Sequence, residues 1–337
     1  MNDEKRVLSD MPELLTLAPS PHMRRGVTTR RLMIDVLIAL APAAVFGIVA
    51  FDWRAAVILL LATASAILAE YLTEKILRRP NTVGDCSAAV TGLLLGMNLP
   101  STVPFYVPIV GSVFAIVVVK QIFGGIGKNV MNPALAARVF LMLAWTAKMT
   151  KFVPAFAWMD GSDAVASATP LASLKTGAFD GSVLDLFLGK CGGCIGEVSA
   201  LCLLIGGAYL LVRRVIAWQI PTAFLGTVAL LTLIFHKGDM SAVSFMASSL
   251  FSGGLMLGAF FMATDYVTSP VTPWGRVIYG VGCGALVVFL RFFSGYPEGV
   301  SFAILIMNAL VWYIELLTKP RVYGKARGKG ERKHGNG

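Results

Sequence analysis

The residues whose types and order could do chemistry are concentrated in one polar stretch, Asp163-Ala164-Val165-Ala166-Ser167-Ala168-Thr169-Pro170-Leu171-Ala172. It places a carboxylate, a run of small side chains and a hydroxyl close together. Small residues let a bulky group approach the backbone, and a threonine hydroxyl is a site for a covalent phosphoester. The same residues also read as a plain helix start, with Thr169 as N-cap and Pro170 at the first helical position. A second group is acidic: Asp85, Glu197, Asp265, Glu298 and Glu315 lie in or beside apolar runs. An ionised side chain there costs on the order of a few kcal/mol and tends to serve a ligand or an ion unless it reaches water at a helix end. Asp85, Glu197 and Asp265 are the candidates for an ion pathway. Cys191-Gly192-Gly193-Cys194 has redox-motif spacing; a strained disulfide and a chance spacing both stay open, and no βαβ context supports thioredoxin-like chemistry. The three histidines are too scattered to build a metal site.

The elements that must position these residues are membrane helices. With 56% hydrophobic and only 14% charged residues in 337, and a mean hydropathy of +0.73, the chain belongs in a bilayer, where helices satisfy every backbone group internally. The net charge of +10 does not imply nucleic acid, because Lys and Arg fall in short clusters between apolar runs; membrane lipid is the partner such clusters fit. A template of about 20 apolar residues per span predicts helices near 32–51, 55–77, 84–100, 104–123 and 133–149, and again near 197–213, 217–236, 243–263, 274–293 and 299–318. The expected fold is therefore an all-α polytopic membrane protein of about ten transmembrane helices. The segments 84–100 and 243–263 are rich enough in Gly, Ser and Thr to be broken. Five spans per half, with Gly-rich turns leading to Asn132-Pro133-Ala134 and to the last span, suggest two inverted repeats, an arrangement that places ligands at the repeat interface.

The positive-inside rule puts Arg24-Arg25, Arg30-Arg31, Arg78-Arg79, Lys120, Lys128, Arg213-Arg214, Arg276 and the basic tail on the cytoplasmic side. The chain divides accordingly into a cytoplasmic lead (1–31), a first transmembrane repeat (32–149), an extracytoplasmic loop (150–196), a second repeat (197–318) and a basic cytoplasmic tail (319–337).

The polar stretch, with Asp163, Ala168 and Thr169 matching and Ala166 and Ser167 as small replacements, resembles the flavinylation sequence of the D subunit of Rnf complexes and the related B subunit of Na⁺-pumping NADH:quinone reductase. The resemblance extends in order along the chain, through Ser20-Pro21-His22, Thr29-Arg30-Arg31, Asp85-Cys86-Ser87, Asn98-Leu99-Pro100, Lys120-Gln121-Ile122-Phe123-Gly124-Gly125-Ile126-Gly127-Lys128-Asn129, Asn132-Pro133-Ala134, Gly196-Glu197, Phe261-Met262-Ala263-Thr264-Asp265 and Gly295-Tyr296-Pro297-Glu298-Gly299. Length favours the D subunit.

The resemblance implies a membrane electron-transfer subunit of a ferredoxin:NAD⁺ oxidoreductase that moves Na⁺ or H⁺ across the cell inner membrane, with FMN esterified through its phosphate to Thr169 on the outer side. Asp163, Ser167 and Ala168 would complete the flavinylation motif, and Asp265, before Pro270 and Pro273, stands at a discontinuity suited to flavin or ion contact. A non-covalent riboflavin also belongs to the family, without assigned residues. Expected partners are the other Rnf subunits, including a G subunit with its own covalent FMN, and a flavin transferase. No catalytic residue and no nicotinamide site is expected in this chain, which has no Gly-x-Gly-x-x-Gly opening a βαβ unit. The rival readings are a secondary transporter or channel built on the inverted repeat, with no covalent flavin, and an assembly scaffold.

Overall fold

The computed structural model describes residues 28–159, 169–176, 181–236, 240–294 and 299–319. Among these residues every regular element is helical. The first, α1 (Thr29–Ile76), is capped by Thr28, whose hydroxyl accepts from Arg31 N at 3.4 Å. At about 1.5 Å per residue, its 48 residues would run about 70 Å, more than twice a bilayer core. Asp52, at φ 65°, breaks it into the two expected spans. Then come α2 (Ser87–Met97), α3 (Tyr106–Val113), which continues as a wide π-helical segment over Phe114–Gln121, α4 (Pro133–Ala144) and the short α5 (Thr146–Met149). Two short helices, α6 (Pro170–Thr176) and α7 (Val183–Leu188), precede α8 (Ala200–Val212) and α9 (Gln219–Ile234). The chain closes with α10 (Ala242–Phe251), α11 (Leu255–Leu257) leading into a second π segment at Gly258–Met262, α12 (Pro273–Phe293) and α13 (Val300–Thr318).

Length and apolarity suffice for a full crossing in α1, α12 and α13, and α10 with Leu255–Met262 adds a span bent by 64°. The expectation of breakage at 243–263 is met. The segments expected as full spans near 104–123, 133–149, 197–213 and 217–236, and the segment 84–100 expected as a broken one, are helices of 10–17 residues. Their ends give way to irregular backbone, which a membrane protein tolerates where protein buries and satisfies it. Thus Gly196 N donates to Met97 O at 2.7 Å and Ile195 N to Leu99 O at 3.0 Å, joining the end of α2 to the segment before α8.

Small residues set the spacing of α1 against its neighbours. Ala39, Ala43, Ala55, Ala62 and Ala66 are buried along it, and such residues let membrane helices approach closely. At the contact with α8, a Cβ added to Gly206 would lie 2.1 Å from the Ala39 carbonyl oxygen. Asp35 fastens the same pair, accepting from Arg213 at 3.2 Å and from Tyr209 at 3.1 Å. Gly206→Ala must push backbone away from backbone and is expected to cost about 1–3 kcal/mol, read as a lowered melting temperature in detergent. Gly226, whose added Cβ would meet nothing within 4 Å, is the control: Gly226→Ala holds or raises the melting temperature, because Ala favours helix by about 1 kcal/mol.

Candidate functional site

Two sites converge on α4. The first surrounds Thr169, which is 7% exposed. Its hydroxyl accepts from Ala172 N at 3.4 Å, and its carbonyl accepts from Ala172 N and Ser173 N, so the residue does cap α6. A niche of about 10 Å³ here is walled by Thr169, Cys191, Gly192, Gly193, Glu197 and Gly253, and an added Cβ at Gly193 would meet nothing within 4 Å. Gly192, Gly193 and Gly253 thus share the wall around the Thr169 hydroxyl with Pro170 and Leu171. The remaining motif residues, Asp163, Ser167 and Ala168, lie outside the described residues.

Glu197, beside Thr169, would repel a phosphate if its charge stood alone. Arg138 of α4 answers it at 3.0 Å, both side chains being buried. The same guanidinium bonds the Asn98 side-chain oxygen and lies 3.5 Å from Cys194 Sγ. Asn98 returns a bond to Leu94 O at 2.6 Å, so Arg138 anchors the end of α2 as well as Glu197. The Cys191 and Cys194 thiols are not joined in a disulfide. Burial, followed by the charges of Glu197 and Asp185, pushes the Cys191 thiol up to about 11, which keeps it protonated at neutral pH and poorly nucleophilic.

The second site is a cavity of about 370 Å³ between the starts of α1, α2 and α4, the end of α8 and the second π segment. Its volume falls in the range of about 300–1,000 Å³ usual for small-molecule sites. The lining is mostly apolar, from Leu32, Met33, Leu94, Phe260 and Phe261, with polar groups from Thr91, Lys120, Asn129, Asn132 and Asp265. Asn132 caps α4 through Ala134 N at 3.0 Å and donates to Met262 O at 3.2 Å. Asp265 accepts from Thr268 Oγ1 at 3.1 Å.

The three acids proposed for an ion pathway do not form one cluster. Asp265 is in the cavity wall, Asp85 stands behind the wall and accepts from the Ser87 hydroxyl at 2.6 Å, and Glu197 belongs to the Thr169 site. Glu315 is a structural acid: it accepts from Val271 N at 3.1 Å. Glu298 lies outside the described residues. Lys120, assigned by its type to a cytoplasmic connection, is instead 3% exposed and paired with Glu70 at 2.5 Å. Arg138, Glu70 and Glu74 are among the buried charges that composition concealed, with Asp35 and Arg291. The signal for Glu70 and Glu74 was their spacing of four on an apolar helix, which puts them on one face.

A sequence model of the NQR2, RnfD, RnfE family matches residues 16–324. The chain belongs to this family. Among its relatives, the D subunit of the Na⁺-translocating ferredoxin:NAD⁺ oxidoreductase complex of Acetobacterium woodii is 47% identical over 95% of this chain and 98% of the relative. The D subunit of the proton-translocating ferredoxin:NAD⁺ oxidoreductase complex of Clostridium ljungdahlii is 40% identical over 93% and 97%, and the D subunit of an ion-translocating oxidoreductase complex of Escherichia coli is 34% identical over 93% and 99%. The family resemblance read from the ordered motifs is thereby established.

Removing one member of a buried ion pair strands the other, at about 3–5 kcal/mol. Arg138→Met is expected to lower thermal stability more than Glu197→Gln, whose amide still bonds. The double variant should deviate from additivity by about 0.5–3 kcal/mol in a melting cycle in detergent.

Proposed function

We propose that this chain is the membrane electron-carrying subunit of an Rnf-type ferredoxin:NAD⁺ oxidoreductase that couples electron flow to Na⁺ or H⁺ movement, with FMN esterified to Thr169. The observation that carries the reading is the setting of Thr169: a hydroxyl at a helix start, ringed by Gly192, Gly193 and Gly253, beside a carboxylate already neutralised by Arg138. The relatives named as D subunits of such complexes supply the reaction class. Other Rnf subunits, among them a G subunit with its own FMN, and the flavin transferase that loads Thr169, are the corresponding partners.

The cavity beside Asp265 would hold a second, non-covalent flavin such as riboflavin. Apolar walls suit the faces of its ring system, and Asn129, Asn132 and Asp265 offer hydrogen-bonding groups for its polar edge. Flavins supply the redox chemistry when bound; the residues here bind, orient and exclude water. The layout of the third segments, a short α2 of 11 residues in one half and the bent α10 with Leu255–Met262 in the other, supports two five-helix inverted repeats. Positive-inside counting supports cytoplasmic termini, an outer flavin loop and the cell inner membrane.

The chain produced with its flavin transferase should give a fluorescent band on a denaturing gel under ultraviolet light, and Thr169→Ala should lose the fluorescence entirely. A dark wild-type band sinks the covalent-flavin reading and returns the inverted-repeat transporter. Asn132→Leu should reduce the flavin released on denaturation while the Thr169 band keeps its intensity; unchanged release removes the cavity as the second flavin's place.

A further inference from the structure

Glu70, Glu74 and Lys120 form a buried charged cluster that electron transfer by itself does not need. Glu70 is 0% exposed, and Glu74 and Lys120 are 3% exposed. Lys120 Nζ lies 2.5 Å from Glu70 Oε1 and 2.6 Å from Ser87 Oγ. Gln121 Nε2 donates to Glu70 at 3.2 Å and to Glu74 at 3.3 Å, and Thr82 holds Glu74 through both its backbone N–H, at 3.0 Å, and its hydroxyl. The other charges facing the cluster are Asp85, one hydrogen bond away behind Ser87, and Arg79, whose guanidinium is bonded to the Gln121 carbonyl at 2.7 Å. Glu70 Oε2 is buried and has no hydrogen-bond partner.

Charge counting makes that oxygen informative. Three carboxylates, Glu70, Glu74 and Asp85, face two cations, Lys120 and Arg79, so with all of them ionised the cluster is one positive charge short, in surroundings where an uncompensated charge is expensive. A monovalent cation satisfies both the charge and the orphaned oxygen. Lys120 is also part of the cavity wall, on the last turn of a π-helical segment, a geometry that recurs at functional sites. Lys120 therefore faces two places where negative charge can reside.

We propose that Glu70 and Glu74 form a site for one monovalent cation, Na⁺ or a proton, gated by Lys120 moving between Glu70 and the cavity. While Lys120 holds Glu70, the site is closed to a second cation. Negative charge arriving in the cavity draws the ammonium along its Ser87 contact, and the freed carboxylates take up a cation from the aqueous side, near the end of α1. The balance is one electron into the cavity and one cation into the site: Na⁺ is coordinated with no covalent bond made or broken, whereas a proton leaves its aqueous carrier and forms an O–H bond on one carboxylate. The linkage to electron arrival rests on the cavity's holding a flavin; the cation site does not.

The test uses the whole complex in detergent, measuring ²²Na⁺ binding by equilibrium dialysis and proton uptake with a pH indicator, before and after dithionite reduction. Wild-type complex is expected to gain one cation per chain on reduction, and Glu70→Gln and Glu74→Gln are each expected to lose that gain. Lys120→Met is expected to bind the cation already in the oxidised state, with no further gain on reduction. The isotope and the indicator separate Na⁺ from H⁺. Uptake in Glu70→Gln equal to wild type overturns the site, as does a folded Lys120→Met that binds nothing when oxidised. Should Lys120→Met fail to assemble, the two amide variants decide alone, since each keeps its side chain's volume. Flavin released from the cavity is quantified separately: if none is found, the flavin reading fails, and cation binding by oxidised Lys120→Met still tests the site.

Discussion

Helices that stop inside a bilayer leave carbonyls and N–H groups with no water to bond, and this protein resolves that constraint around Arg138. The end of α2, the segment before α8 and the break between α10 and α11 all meet there. Asn98 and Glu197 are held by its guanidinium, and a Cβ added to Gly254 would come within 2.5 Å of Glu197 Oε1. Backbone bonds from Ile195 and Gly196 to Leu99 and Met97 complete the junction. A buried ion pair contributes little net stability against its desolvation. Its role here is geometric, because no apolar side chain could hold those polar ends in register.

Fixing the junction places both sites on one rigid element. Asn132 at the start of α4 faces the cavity, and Arg138 lies six residues later, about 9 Å along the axis. Met262 spans part of the interval, accepting from Asn132 through its carbonyl and from Asn98 through its sulfur at 3.7 Å. The cavity and the Thr169 niche are consequently neighbours in a continuous packed interior. A charge entering one is felt at the other more strongly than it would be across bulk water, because the packed protein between them has a lower dielectric.

How much of this was legible in the sequence depended on the kind of signal. The cap at Thr169, the break in 243–263 and the ordered family motifs are local patterns, and local patterns survive folding. The lengths of the middle spans were overread because a 20-residue template assumes that water or lipid headgroups meet every helix end. Here the ends meet other broken ends. Lys120 and Arg138 were hard to place for a related reason: a cation near the end of an apolar run (Lys120) or within one (Arg138) looks the same in sequence whether it snorkels to a surface or turns inward. Glu197 is legible as an acid in an apolar setting, yet its companions Asn98 and Arg138 lie 99 and 59 residues away in the chain, a separation that no spacing argument bridges.

The relatives named for Na⁺ and for protons share one family and nearly the same length, so discrimination between the ions need not lie in the architecture. A proton needs one carboxylate oxygen, whereas Na⁺ needs several oxygens to replace its hydration shell, in the manner of selective channel sites. Around Glu70 and Glu74 the neutral oxygen nearest to hand is the Thr82 hydroxyl, which bonds Glu74 directly. With the carboxylates held constant, the number of such neutral oxygens decides whether a sodium ion is stabilised or only a proton is. Ion choice then becomes a property of the residues flanking the carboxylates, adjustable by single substitutions without disturbing the junction at Arg138 on which both sites depend.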